Sequence, residues 1–453
     1  MDGERIGVLG LARSGSAAAH LALVLGADVY ASDVSDTDEA RAAAERIRRA
    51  GGEAEAGRHD VDRLAACSKI VLSPGIPPDV AVLRDPRLAG IPVVPEIDLA
   101  AMAVRGRLIG VTGTNGKTTV VSLIEHLLRT AGRDAVAAGN IGTALSEIAL
   151  RDPQPEIVVV EVSSFQLGIS TGFAPEIGVL TNLAPDHLDR YATVEDYYAD
   201  KARLFRNASS ESRWVLNGED ERAAALPGDA PGERFYFRVA SEPARGERGG
   251  FVDGAGNLVL RTGDVAEPVV NVAGMALLGP HNRANALAAA IAATLAGAEP
   301  GALAPGLRSF EAPPHRLEPV GEWDGVLWVN DSKATNLTST LVALRSMDRP
   351  TVLLLGGRHK GEPYSQLVPE LHGRVRRVVA YGEAAPIIAA DLAGETDVEV
   401  VDGGFDDAVA AARAAARQGD AILLSPACSS YDMFANYEER GLRFAELGAG
   451  AAA

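Results

Sequence analysis

The chain has 453 residues, 47% of them hydrophobic and 23% charged, and a formal net charge of −18. That length corresponds to about three ordinary domains with a sizeable core, and the acidic balance argues against a nucleic-acid surface while leaving room for a local basic pocket for phosphates. Two cysteines far apart, Cys67 and Cys428, argue for a reducing compartment and against a disulfide framework or a zinc site. No apolar run approaches the ~20 residues of a membrane span, and the opening MDGERIGVLGLARSG leads into a strand and a turn without a signal-peptide layout. The expectation is a soluble cytoplasmic monomer with no nucleic-acid partner and no membrane insertion.

Residues 1–105 alternate short apolar strands, read at 5–9, 28–31, 69–72 and 91–94, with an Ala/Leu-rich helix at 15–25. Such alternation implies a parallel sheet with ligands at the C-terminal ends of its strands. Gly7, Gly10 and Gly15 do not complete GxGxxG, yet Asp33 follows the second strand about where a ribose-binding acid would stand. A nicotinamide site is weakly signalled there, and another nucleotide fits as well. Residues 106–312 continue with strands at 108–111, 157–162 and 177–181 and a helix at 281–297. Between 209 and 270 the pattern weakens into strands and loops of variable length, and the Pro-rich 311–316 reads as a linker. Residues 313–453 carry strands at 326–329, 351–355, 377–381, 398–401 and 421–424, a helix at 408–417, and a frayed small-residue tail from Gly448. The fold class expected is α/β in three domains. The outer two are Rossmann-like, and the central one is a mononucleotide-binding α/β domain with a parallel sheet.

The segment GTNGKTT at 113–119 joins a buried strand, a glycine turn and a helix N-terminus. Backbone N–H groups point outward there, Lys117 adds a positive charge, and Thr118 offers a hydroxyl to a divalent cation; proteins hold a nucleoside triphosphate with magnesium in this way. The strict phosphate-loop pattern needs glycine where this chain has Val111, so the match is to a shortened form. A bare GK[ST] is more often a surface turn. The strand before it and the amphipathic helix after it favour ATP binding.

Glu161 lies inside an otherwise apolar strand, where a carboxylate is costly to bury unless paired or metal-bound. Beside a phosphate loop magnesium is the natural partner; a helix cap or an arginine pair is the alternative. His187, flanked by Asp186 and Asp189 in the polar loop after the next strand, is a further candidate, whereas Lys201 reads by composition as an exposed helix lysine. Three strands of the last block end in NDSKATN (330–336), GGRHKG (356–361) and SPACSSYD (425–432). Three polar loops at one sheet edge suggest a binding face. Cys428 has no histidine near it in sequence and reads as a small buried thiol.

These motifs resemble those of the Mur ligase family nearly end to end: GVLGLARSG at 7–15, SPGI at 73–76, GTNGKTT, GNIG at 139–142, EVSSFQL at 161–167, DHLDRY at 186–191, YYADK at 197–201, HNRAN at 281–285, HR at 315–316, NDSKATN, LLLGG at 353–357 and SPACSSYD. NDSKATN, and SPAC with a following serine, are similar to the D-glutamate-adding branch of the family. The resemblance implies an ATP-dependent amide ligase with ATP and Mg2+ as cofactors and UDP-N-acetylmuramoyl-L-alanine and D-glutamate as partners. Amide would form through an acyl phosphate, in peptidoglycan-precursor synthesis and hence cell-wall biogenesis, cell shape and division. It implies that residues 1–105 bind the UDP substrate through Gly10, Asp33 and Ser73, that 106–312 bind ATP, and that 313–453 bind the amino acid. Gly113, Thr114, Asn115, Gly116, Lys117, Thr118 and Thr119 would hold the phosphates, with Arg316 near them, Asn282 and Asn285 near the adenine, and Asp331 at the ribose. Thr118, Glu161, His187 and Lys201, the last as a carbamate, would bind magnesium, and Lys117, Glu161, His187 and Lys201 would form the catalytic set. Asn140 would meet the nucleotide substrate, and Thr335, Lys360, Ser430 and Tyr437 the D-glutamate carboxylates. GTNGKTT also occurs in folylpolyglutamate synthases, but NDSKATN counts against that alternative; a ligase for L-glutamate is the other.

Overall fold

Runs of Val, Ile and Leu without polar alternation make strands that are covered on both faces, the pattern of parallel sheets. The computed structural model describes residues 1–450 except 2, 141, 189, 276–278, 312 and 313, so Asp189 and part of the expected linker lie outside the described residues. It contains three such sheets.

The first is wholly parallel, in the order β3-β2-β1-β4-β5, from β1 (Arg5–Leu9), β2 (Asp28–Asp33), β3 (Glu53–Ala56), β4 (Lys69–Leu72) and β5 (Val93–Pro95). The strand order reverses between β1 and β4, which makes the crevice beyond their C-terminal ends a topological switch point. The second sheet has the order β14-β13-β12-β11-β10-β9-β6-β8-β7. Its strands are β6 (Arg107–Thr112), β7 (Ala135–Gly139), β8 (Ile157–Glu161), β9 (Ile177–Leu180), β10 (Arg213–Asn217), β11 (Glu233–Arg238), β12 (Gly249–Val252), β13 (Asn257–Arg261) and β14 (Glu267–Asn271). From β7 to β12 it is parallel, and β13 and β14 add an antiparallel edge. The third sheet runs β15-β16-β20-β17-β18-β19, from β15 (Glu318–Trp323), β16 (Val326–Asn330), β17 (Thr351–Gly356), β18 (Val375–Tyr381), β19 (Val398–Val400) and β20 (Ala421–Leu424). Only β15 is antiparallel to its neighbour.

One compact unit carries the first two sheets; a second carries the third sheet together with the stretch around Asp186 and His187. In the first unit a continuous apolar cluster runs from Val8 and Val29 through Ile97, Leu99 and Leu145 to Val158 and Val160. The helix Glu96–Ala101 lies in this junction with both its carboxylates buried. Asp98 accepts hydrogen bonds from the Ser170 hydroxyl (2.5 Å) and from the backbone N–H groups of Thr171 (2.7 Å), Gly172 (2.8 Å) and Phe173 (3.1 Å). Glu96 accepts from the Ser146 N–H (2.6 Å) in the first turn of the helix Leu145–Ala149, and burial raises its pKa. In the second unit two apolar clusters cover the two faces of the third sheet.

Outside the 209–270 stretch, where the sequence pattern places no single strand, three strands escape the apolar-run reading: β3 (EAEA) is half charged, β7 (AVAAG) is mostly small residues, and β15 (EPVGEW) is a polar antiparallel edge. The tail expected to fray from Gly448 is helical at its start. The helix Tyr437–Ala449 includes its first two residues, where a Cβ on Gly448 would meet the rings of Trp323 and Trp328 at 3.0 and 3.1 Å, and residues 451–453 lie outside the described residues.

Because Asp98 satisfies three backbone donors at once, Asp98→Ala orphans the Thr171 and Gly172 N–H groups, leaves the Phe173 N–H only its 3.4 Å bond to the Ser170 hydroxyl, and is expected to cost about 3 kcal/mol of stability. Asp98→Asn, which keeps one acceptor oxygen, is expected to cost less. Differential scanning calorimetry of the three proteins checks the order; an unchanged melting temperature for the alanine variant would refute it.

Candidate functional site

The phosphate loop leaves β6 at the middle of the second sheet, between β8 and β9. Gly113 and Gly116 take φ values of 144° and 81°, which L side chains rarely adopt, and Gly116 is the residue from which the helix Lys117–Thr130 starts. The Lys117 ammonium folds over the loop, donating to the carbonyls of Gly113 (3.0 Å) and Thr114 (2.7 Å). The loop after β9 clasps it from the side. Asn182 accepts from the Asn115 N–H and donates back to its carbonyl (both 3.0 Å), while the Thr181 hydroxyl donates to that same carbonyl (2.6 Å). A Cβ on Gly116 would lie 2.5 Å from the Asn285 Oδ1, so that amide packs directly on the loop, and Asn285 in turn donates to Asn282 (3.2 Å). Thr114 and Thr119 are buried, and the Tyr197 hydroxyl lies 3.3 Å from Thr114 Oγ1. Expected phosphate and adenine residues of the first unit are thus brought together, and Thr181 and Asn182 join them. In the sequence those two are only part of a polar loop.

Glu161 ends β8, 2% exposed, with both carboxylate oxygens engaged: the Thr118 hydroxyl donates to one (2.9 Å) and the Asn140 amide to the other (3.1 Å). Lys201, read by composition as exposed, is 1% exposed. Its ammonium donates to the Gly113 carbonyl (2.8 Å) and stands 4.4 Å from the Tyr197 ring centre. The helix Val194–Ala202 turns this lysine inward to the phosphate loop, so the exposed reading is corrected. Among the described residues no cluster of three or more His, Cys, Asp or Glu could hold a metal by itself. A single carboxylate beside a threonine hydroxyl fits Mg2+, which takes one or two carboxylates and fills its octahedron with water and substrate phosphates.

In the first sheet Gly10 (φ 94°) and Ser73 face each other across the β1–β4 switch point, too close for a side chain on Gly10. The Asp33 carboxylate closes this turn by accepting from the Leu11 N–H (2.7 Å) and the Ser35 N–H (2.9 Å). Its first task is therefore to hold the glycine turn.

In the second unit the loops after β16, β17 and β20, neighbours in the third sheet, converge. Lys360 lies 3.5 Å from the Thr335 hydroxyl and 3.5 Å from Asp186, whose other oxygen accepts from Asn336 (2.8 Å). Arg358 and Ser429 pair as a short antiparallel bridge that ties the Lys360 loop to the Ser430 loop. Arg440, in the Tyr437–Ala449 helix, is 1% exposed and donates to the Ser332 hydroxyl (2.9 Å), the Ser332 carbonyl (2.8 Å) and the Cys428 carbonyl (3.2 Å). It locks NDSKATN to SPAC, although in sequence it looks like any surface helix arginine. Asp331 accepts from the Ser425 hydroxyl (2.8 Å) and the Leu317 N–H (3.2 Å), and burial pushes its pKa up to about 7 against the charge of Arg316 nearby. His187 has a φ of 56° and its N–H donates to Asp186 (2.8 Å). Cys428 is buried 2.9 Å from the Tyr364 hydroxyl, and burial pushes the thiol up to about 11.

Comparison with known proteins matches three stretches of the chain. Residues 4–95 fit the Mur ligase MurD-like N-terminal domain, 111–293 the Mur ligase middle domain, and 315–428 the Mur ligase glutamate ligase domain. A UDP-N-acetylmuramoylalanine–D-glutamate ligase of Salinibacter ruber is 42% identical over 98% of this chain and 97% of its own length. The enzyme of the same name from Desulfatibacillum aliphaticivorans is 38% identical over 99% and 98%. Among solved structures, a pseudomurein peptide ligase type C from Methanothermus fervidus shares the fold, with a TM-score of 0.59 at 19% identity over 93% of this chain and 96% of that one. Identity of this order along the whole length, with the matched domains in the order of the three sheets, leaves one conclusion: the chain belongs to the Mur ligase family.

Proposed function

We propose that this chain is the ATP-dependent ligase that joins D-glutamate to the L-alanine carboxylate of UDP-N-acetylmuramoyl-L-alanine, acting as a monomer in the cytoplasm during peptidoglycan-precursor synthesis. The single observation that carries ATP use is the Thr118–Glu161 hydrogen bond of 2.9 Å beside the Lys117 loop, a hydroxyl and a carboxylate paired where a nucleotide-bound cation needs them. The substrate names come from the relatives, both called D-glutamate ligases.

In this reading the γ-phosphoryl group passes to the L-alanine carboxylate, and the amine of D-glutamate then displaces phosphate from the acyl phosphate. Phosphoryl transfer needs positioning and charge compensation more than covalent help. Lys117 and the loop N–H groups of residues 113–119 supply part of that charge at fixed positions. Mg2+ held by Thr118 and Glu161, with His187 for a second ion, would supply the rest. Lys201 joins this set as a carbamate, which turns a cation into an anionic ligand. Asn140, already on Glu161, meets the acceptor carboxylate. Asn282 and Asn285 hold the adenine, Asp331 the ribose and Arg316 the phosphates. Gly10, Asp33 and Ser73 take the UDP end. Thr335, Lys360, Ser430 and Tyr437 hold the glutamate carboxylates, supported by the Thr335–Lys360 contact.

Purified protein is expected to release ADP only when UDP-N-acetylmuramoyl-L-alanine and D-glutamate are both supplied. ADP release with a pteroylglutamate instead, or equally with L-glutamate, would reject this assignment. Lys117→Ala is expected to lower kcat by about three orders of magnitude, read by coupled ADP assay. Lys201→Ala is expected to lower turnover as severely while leaving the circular-dichroism spectrum unchanged; normal turnover would remove Lys201 from the metal site.

A further inference from the structure

Glu362 is a buried carboxyl group that the reaction scheme above does not use. It follows Lys360 by two residues in the loop after β17 and is 6% exposed. Its carboxylate accepts a hydrogen bond from the backbone N–H of Leu337, the first residue of the helix Leu337–Ser346, directly after Thr335 and Asn336. Glu362 therefore sits where the Thr335 loop meets the Lys360 loop, between the two loops assigned to the amino acid. Among the described residues, the charges of Asp186 and Lys360 act on it, and its own charge acts on Tyr364.

An amino acid arrives at this place as a zwitterion, and its ammonium must lose a proton before nitrogen can attack. Lys360 suits the carboxylate end. Of the other buried acids in these loops, Asp186 is occupied by Lys360, Asn336 and the His187 N–H, and Asp331 by the Ser425 hydroxyl and the Leu317 N–H. From this placement we propose that Glu362 takes the proton from the α-ammonium of the incoming amino acid. The inference rests on the ligase reading above.

The step balances. The ammonium gives one proton to the Glu362 carboxylate, and the neutral nitrogen forms the C–N bond at the acyl carbon. The C–O bond to phosphate breaks with its electron pair, and the second nitrogen proton leaves with the phosphate. Glu362 then returns its proton to solvent. Burial, with the charge of Asp186 adding to it, raises the carboxyl to about 7, against the Leu337 N–H and Lys360. A base titrating close to neutral pH is matched to this task.

The test compares two nucleophiles. Hydroxylamine is a neutral amine at pH 8 and traps the acyl phosphate as a hydroxamate without a proton acceptor. In Glu362→Gln, ligation of D-glutamate is expected to fall roughly 100-fold relative to hydroxamate formation, with little change in KM for glutamate. Glu362→Asp is expected to recover part of the rate. The fall in wild-type kcat below pH 7, where the carboxylate protonates, is expected to disappear in Glu362→Gln. Equal losses with both nucleophiles, a change confined to KM, or an unchanged acid limb would overturn the proposal. If the wild type forms no hydroxamate from the muramoyl nucleotide and ATP, the ligase reading fails first, and this step with it.

Discussion

The centre of the first unit is governed by the cost of burying charge at the C-terminal edge of a parallel sheet. A carboxylate such as Glu161, 2% exposed, persists there only because Thr118 and Asn140 donate to its two oxygens. Those donors come from the phosphate loop and from the loop after β7, so satisfying one acid fixes the relative position of three strand ends. Lys201 repeats the argument with opposite sign, since its buried ammonium rests on the Gly113 carbonyl and the Tyr197 ring. The ionic groups are held by the loop geometry, and they hold that geometry in return.

The same logic operates at other strand ends. In the first sheet the Asp33 carboxylate is used on the N–H groups of its own glycine turn, which leaves Gly10 and Ser73 facing across the switch point. In the third sheet Arg440 satisfies carbonyls and a hydroxyl of two loops, and Asp331 is held by Ser425 and Leu317 at a cost that shows in its raised pKa. Each sheet supplies strand ends, and each buried charge selects the loop conformation that can neutralise or hydrogen-bond it.

At the junction of the first two sheets the short helix Glu96–Ala101 does comparable work. Its length would be marginal alone. Two buried carboxylates capping a turn and a helix start, and an apolar face in the shared core, keep it in place.

The central strands were legible from the chain alone, because short apolar runs bounded by Gly, Pro and polar loops mark buried parallel strands. β1, β4 and β20 start and end where the runs do. The phosphate loop and the three polar loops of the last sheet were legible for a related reason: residues that bind anions also break the apolar pattern. What composition hid were groups whose burial depends on a partner far along the chain. Lys201 reads as a solvent-facing lysine until Gly113 lies against it. Arg440 reads as a surface residue until Ser332 and Cys428 surround it, and Glu362 as a loop acid until Leu337 caps it. The order of residues determines which side chains stand at strand ends; only tertiary packing decides which of them lose water, and so which charges are buried, paired and shifted.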